Sequence, residues 1–183
     1  MKPEIKRRRT VAESRLFTIQ QVDLKFSNGI EATFEQLTGI GQGGVLVVPI
    51  LDKDTILLVE EYALGVDRYE LGFVKGLIDK DESAQQAAVR ELEEEVSYTA
   101  TSIHNVGDYS VMPAYSNFHH HIVIVENLTP KSRTGDEPEP LKLVPWPISE
   151  LEQLHKHPRF TDARCHLALF LLSNFLQSRV SHV

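Results

Sequence analysis

Thiol chemistry is almost absent from this chain: one cysteine, Cys165, among 183 residues excludes an intramolecular disulfide. Long apolar runs are also missing. No stretch approaches the roughly 20 apolar residues that a membrane span requires, and the opening MKPEIKRRRTVAESR has no apolar core of the kind a secretory signal needs. Both features predict a cytoplasmic protein with no membrane partner. Positive charge is scarce, with 19 Lys+Arg against 26 Asp+Glu and a net charge of −7. The one basic run, residues 6–9, lies at the N-terminus and reads as a solvated tail. Phosphate backbones attract clustered Lys and Arg, so nucleic acid is not an expected partner. What the chain does carry is 42% hydrophobic residues, enough to build one compact domain and too many for a disordered polymer.

Over residues 15–36 the apolar positions alternate, with Val22, Leu24 and Phe26 before Ser27-Asn28-Gly29 and Ile30, Ala32 and Phe34 after it. This predicts a β-hairpin in which Asn28-Gly29 supplies the positive-φ turn positions. Gly39, Gly41, Gly43 and Gly44 then mark a break. The glycines lack the Lys-Ser/Thr ending of a phosphate loop and a strand pattern follows, so they read as a linker. Residues 45–50 and 56–59 predict buried strands, and residues 103–111, 121–125 and 141–144 predict further ones. Residues 83–96 predict a helix opened by a Ser83/Gln86 capping box, and residues 149–155 and 161–177 predict two more. Strands, one helix, more strands and closing helices describe an α+β chain or a three-layer sandwich. Residues 1–44 are expected to form an N-terminal tail and hairpin, and residues 45–183 the main domain.

The acidic segment is the most informative. At about 100° per residue, Glu91, Glu94 and Glu95 share roughly a quarter of the helix circumference, while Ala88, Leu92 and Val96 line the adjacent face. Such a helix can bury one stripe against a sheet and present carboxylates along a cleft. Like charges three and four residues apart destabilise a helix, so three of them call for a cation. Hard oxygen ligands suit Mg²⁺ or Mn²⁺, which also bridge to substrate phosphates. Arg90, one turn before Glu94, can fork onto a carboxylate and hold it.

Gly76, Glu82, Arg90, Glu91, Leu92, Glu94 and Glu95 fit G-x5-E-x7-R-E-U-x-E-E, with U a bulky aliphatic. A chance match of the six fixed residues in a chain of this length has a probability on the order of 10⁻⁵. The segment resembles the Nudix box. The resemblance implies a Nudix fold, an α/β/α sandwich of mixed sheet with the catalytic helix on one face. It implies Glu91 and Glu95 as primary metal ligands, Glu94 as an assisting one, and the Lys75 backbone carbonyl as a further ligand. It also implies Glu82 and Arg90 as the brace of the helix. The family continues with x-G-U, and Ser97 stands where glycine would end the helix with positive φ.

Residues 70–76 (ELGFVKG), 135–141 (GDEPEPL), 15–17 (RLF) and 26–29 (FSNG) are similar to members of this family that act on ADP-linked compounds. That similarity covers nearly the whole chain. It implies a metal-dependent pyrophosphohydrolase for ADP-ribose, NADH and diadenosine polyphosphates, releasing AMP. Glu137 and Glu139 match an E-x-E loop pair of ADP-ribose enzymes, one of which serves as general base or outer metal ligand. Tyr62 and Tyr115 are candidate adenine-stacking residues. Glu61-Tyr62-Ala63 lacks the Gln-x-Arg that ADP-ribose enzymes often carry here. Relatives are homodimers that pack N-terminal strands, which makes the hairpin a candidate dimer element. Two rival readings are a non-catalytic nucleotide sensor and an enzyme for a sugar nucleotide other than an ADP-linked one. Neighbours in a strand face opposite ways, so of His119, His120 and His121 at most the first and third could share a ligand, and the trio reads as a polar strand start. Cys165 reads as a small buried hydrophobe.

Overall fold

The computed structural model describes residues 1–38, 43–135 and 138–180. Most of the glycine-rich linker and Glu137 therefore lie outside the described residues. Among the described residues, ten strands and three α-helices follow in the order β1 (Glu4–Glu13), β2 (Thr18–Lys25), β3 (Glu31–Thr38), β4 (Gly44–Asp52), β5 (Thr55–Ala63), β6 (Arg68–Gly72), β7 (Val74–Leu77), α1 (Ala84–Glu95), β8 (Tyr98–Ser110), β9 (His119–Pro130), β10 (Lys142–Pro147), α2 (Leu151–His155) and α3 (Ala163–Val180).

Seven strands form a mixed sheet in the order β10-β5-β4-β9-β8, with β6 added to β5 and β7 added to β4. β4 and β9 are parallel, and the other pairs antiparallel. Strand alternation sorts the continuous apolar run of β4 into two cores. Val45 and Val47 pack with Ala84, Ala87, Ala88, Leu92 and Val96 of the α1 layer. Leu46, Val48 and Ile50 pack with Leu154, Ala168, Leu169 and Leu172 of the α2 and α3 layer. A strand buried on both faces loses its polar/apolar alternation, which is why residues 45–50 read as an unbroken apolar run. Cys165 sits fully buried among the α3-side residues, as expected of a small hydrophobe.

One edge of β4 is shared. Its first half pairs with β7 and its last residues pair with β5, so the sheet divides along this edge. The chain crosses the division at the fully buried Phe73, between β6 and β7. These two strands have no counterpart in the sequence expectations, because Arg68–Gly72 and Val74–Leu77 are short and glycine-interrupted.

Residues 6–9 require a correction. They belong to β1, which pairs antiparallel with β2, so the N-terminal unit is a three-stranded sheet β1-β2-β3 and the basic run is an edge strand, not a loose tail. All ten β1 residues are exposed, so no alternation of burial betrays the strand. The β2–β3 turn also differs in detail: Gly29 has φ +85° while Asn28 does not enter the left-handed region. Asn28 instead accepts the Ile30 N–H through Oδ1 at 3.1 Å, and the Gly29 N–H bonds to the Phe26 carbonyl at 2.9 Å. This is a three-residue turn with one left-handed residue at its end.

Candidate active site

The Ser83 hydroxyl accepts from the Gln86 N–H, and the Gln86 side chain accepts in return from the Ser83 N–H at 2.9 Å, so the predicted capping box starts α1. Ala88, Leu92 and Val96 are buried at 0 to 1% exposure, which fixes the rotation of the helix and carries the acidic stripe to its rim. Burying Leu92 contributes about 1.5–3 kcal/mol. The helix ends at Glu95, and Ser97 has φ +58°, the conformation that a glycine would accept without strain.

Arg90 is the hub of the site. Its Nε donates to Glu82 Oε1 at 3.0 Å and its Nη2 to Glu82 Oε2 at 2.9 Å, a two-pronged fork. Nη2 also donates to the Leu77 carbonyl at 2.8 Å, tying the helix to the end of β7. Nη1 reaches Glu91 Oε1 at 2.7 Å and Glu94 Oε2 at 3.1 Å, so one guanidinium holds two carboxylates of the stripe. The Glu82 hydrogen bond, with Glu91 adding to it, raises the Arg90 pKa against the effect of burial. Burial pushes the Glu82 carboxyl upward, but Arg90 and the Asp79 N–H outweigh it and leave Glu82 below the usual carboxylate value.

Gly76 explains itself by distance: a Cβ built there would lie 1.8 Å from Glu91 Oε1. The bare backbone of β7 thus lies directly against the buried Glu91 carboxylate. The carboxylates of Glu91, Glu94 and Glu95 are hard oxygen donors, and by donor chemistry they suit a divalent ion of the Mg²⁺ or Mn²⁺ kind.

The segment after β9 is fastened to the exit of α1. Arg133 Nε contacts Glu94 Oε1 at 3.2 Å, and the Arg133 N–H donates to the Glu93 carbonyl at 3.1 Å. Lys131 Nζ donates to the buried Glu93 Oε1 at 2.8 Å, and the Lys131 N–H to the Ser97 carbonyl at 3.0 Å. Burial raises the Glu93 pKa, and Lys131 and Thr99 more than offset it, leaving a depressed value. The loop that continues from this anchor brings Glu139 to a cavity of about 350 Å³ that Glu94, Glu95, Ser97 and Leu141 also line. Glu139 accepts from the Tyr69 hydroxyl at 2.7 Å. Tyr69 meets Tyr62 edge to face at 5.6 Å between ring centres, and the Tyr62 hydroxyl bonds to Asp67 at 2.5 Å.

Of the residues singled out from the sequence, Glu82, Arg90, Glu91 and Glu94 are joined directly, and Glu95 and Glu139 share the adjacent cavity. Tyr62 reaches Glu139 through Tyr69. Tyr115 lies elsewhere, in a cavity of about 280 Å³ walled by Val22, Leu24 and Phe34 of the N-terminal sheet. Its carbonyl accepts the Leu37 N–H at 2.7 Å. Tyr69, Lys131 and Arg133 escaped sequence reasoning. Their only signal was an aromatic ahead of the box and two cations at the start of a proline-rich loop.

A second cleft, about 370 Å³, opens where the sheet divides and is lined by Glu61, Glu70, Lys75, Asp162 and Arg164 among others. Lys75 Nζ donates to the Phe73 carbonyl at 2.9 Å and pairs with Glu61 at 3.4 Å. Arg164 is forked onto Asp162 and donates to His120 Nε2 at 3.3 Å. Burial, reinforced by Arg164, lowers the His120 pKa to about 4, so its ring is the neutral acceptor in that contact.

A glycine-apposed acidic helix clamped by one arginine, on a mixed sheet between two helical layers, defines a class of hydrolase. The chain belongs to the Nudix family: the NUDIX domain matches residues 42–167. The NudE-type Nudix hydrolase N-terminal domain matches residues 3–36, the three-stranded sheet. The chain is 44% identical to the ADP compounds hydrolase NudE of Escherichia coli over 97% of its own length and 95% of that protein. It is 24% identical to the ADP-ribose pyrophosphatase of Bacillus subtilis over 88% of the chain and 90% of that protein. A crystal structure of an ADP compounds hydrolase superposes with a TM-score of 0.92 and 43% identity, covering 98% of this chain and 96% of that one.

Proposed function

We propose that this Nudix hydrolase cleaves the pyrophosphate of ADP linked to another group, with ADP-ribose, NADH and diadenosine polyphosphates as substrates and AMP as the common product. The observation that carries the proposal is the gathering of the box carboxylates Glu82, Glu91 and Glu94 on Arg90, in a chain 44% identical to an ADP compounds hydrolase. Glu91, Glu94, Glu95 and the Lys75 carbonyl would hold Mg²⁺ or Mn²⁺, which when bound would supply charge neutralisation at the phosphates and a more acidic water. Arg90 positions Glu91 and Glu94, and Glu82 positions Arg90. Glu137 and Glu139 supply the general base and outer contacts, with Glu139 oriented by the Tyr69 hydroxyl. The proton of the attacking water passes to this pair as the P–O–P bridge opens. Tyr62, edge to face with Tyr69, offers a stacking face for adenine, and Tyr115 offers one on the side of the N-terminal sheet. The protein works in the cytoplasm as a homodimer built through residues 1–44. No helix among the described residues is long and apolar enough to cross a membrane.

The test is a panel of ADP-ribose, NADH, diadenosine triphosphate and GDP-mannose incubated with the protein and Mg²⁺, with products separated. AMP is expected from the first three, and a chelator is expected to stop its release. Glu94→Gln and Glu95→Gln should each lower turnover by about 10²-fold or more with the fold retained. Cleavage confined to GDP-mannose would move the substrate class, and turnover indifferent to both substitutions would refute the metal role.

A further inference from the structure

His121 stands in register with Val45, and Val45 with Gly76, so two strand spacings separate it from the box, and the β8–β9 register places Asp108 directly across from His121, with His119 two residues further along the same face of β9. One ligand atom from each of Asp108, His119 and His121 lies within 4.8 Å of the others. His121 follows the alternation of Val123 and Val125 onto the α1 side of the sheet, while His120 faces the α3 side with Ile122 and Ile124. The middle histidine thus leaves the cluster and its outer neighbours form it.

Three features distinguish the group from an ordinary polar surface. His121 Nδ1 is buried and has no hydrogen-bond partner, which leaves a ring nitrogen out of water without compensation. His119 is seated over Gly43, where a Cβ would lie 3.0 Å from His119 Nε2. The two rings meet nearly perpendicular at 5.5 Å between centroids, so neither is stacked away from the shared space.

We infer that Asp108, His119 and His121 form a binding site for a divalent transition ion of the Zn²⁺ class, separate from the carboxylate box. Two imidazoles and one carboxylate are borderline donors, matched to Zn²⁺, Co²⁺ or Ni²⁺, whereas the all-oxygen box selects Mg²⁺ or Mn²⁺. Tetrahedral coordination at about 2.0–2.1 Å separates ligand atoms by roughly 3.3 Å. Closing from at most 4.8 Å to that spacing asks for up to about 1.5 Å of relative movement shared among the three side chains, of which Asp108 is exposed. Three protein ligands leave a position for water. The ion would pin the ends of β8 and β9 at the base of the loop over residues 111–118. That loop receives the Leu37 N–H on its Tyr115 carbonyl, so the site steadies the seat of the N-terminal sheet.

The test uses the full chain without a histidine tag, stripped by chelator and held in excess Mg²⁺ so that the box is saturated. Titration with Zn²⁺ by calorimetry, and with Co²⁺ by visible absorption, should show one ion per chain with micromolar or tighter affinity. The melting temperature should rise by several degrees at saturating Zn²⁺. His119→Ala, His121→Ala and the near-isosteric Asp108→Asn should each weaken binding at least tenfold, while Glu94→Gln leaves it unchanged. Retained hydrolysis with Mg²⁺ verifies that the three variants are folded. Equal Zn²⁺ affinity in all three variants, or Zn²⁺ binding lost only in Glu94→Gln, would overturn the assignment.

Discussion

Helix α1 and strand β1 are ten to twelve residues each and rich in charge, yet they are held by opposite means. Six α1 residues are buried, two of them glutamates, and Arg90 and Lys131 neutralise the carboxylates that burial would otherwise penalise. No β1 residue is buried, and its arginines bond outward across the strand, as in Arg9 to Gln21 and Arg8 to Gln36. Within the N-terminal sheet Val22 alone is buried, while Ile5 and Phe34 remain 43% and 48% exposed. Charge in α1 is therefore precise and closed, and charge in the N-terminal sheet borders apolar surface that still lacks a cover. A three-stranded sheet with so little core needs a packing partner, which is the physical case for the proposed dimer.

The most damaging way to test the closed side is Gly76→Ala. Its methyl would collide with the Glu91 carboxylate, and a displacement of about 1 Å at a metal ligand is expected to lower kcat by about 10²-fold. Steady-state kinetics at saturating Mg²⁺ would measure it, and wild-type turnover would show that the close approach is dispensable. On the open side, Ile5→Asp with Phe34→Asp should weaken self-association at least tenfold. Sedimentation across a dilution series would read this, and an unchanged dimer would place the interface elsewhere.

A pH comparison separates the two further. Glu82 has a folded pKa below its ordinary value of 4.5, so it contributes stability above that pH and loses it as pH falls through the folded value. The stability gap between wild type and Glu82→Gln should thus be full at neutral pH and shrink below about pH 4.5. Denaturant unfolding at several pH values would measure it, and a constant gap would mean that the charge on Glu82 is not what braces Arg90. The smallest effect is expected at Ser97→Gly. Relief of a left-handed residue gains about 1–2 kcal/mol and the added chain entropy of glycine costs about 0.5–1, so thermal unfolding should show a rise of up to about 1.5 kcal/mol.

Much of α1 is legible in the sequence. The Ser83/Gln86 cap, the Ala88-Leu92-Val96 stripe and the Arg90–Glu94 contact are all neighbours within a few residues, where helix geometry alone sets who meets whom. β1 was not legible, because a strand exposed throughout carries no burial pattern. β6 and β7 hid between glycines. Arg133 on Glu94 joins residues 39 apart, and Tyr69 on Glu139 joins residues 70 apart, separations over which composition says nothing about contact. The histidine trio shows both limits: alternation singled out His119 and His121, but their partner Asp108 depends on a strand register shifted by an irregularity between Asn105 and Gly107.

The sequence by itself determined the chemistry of this protein: which carboxylates share a helix face, which arginine lies one turn from them, and the hard cation they prefer. Those relations follow from a repeat of 3.6 residues that any helix of this composition must obey. The tertiary structure alone decided what closes around that face, namely the bare backbone of Gly76, Arg133 on Glu94, and the loop carrying Glu139. Such neighbours are chosen by how strands pair and layers pack across the whole chain, and that choice is made by the burial of two cores at once rather than by any local run of residues.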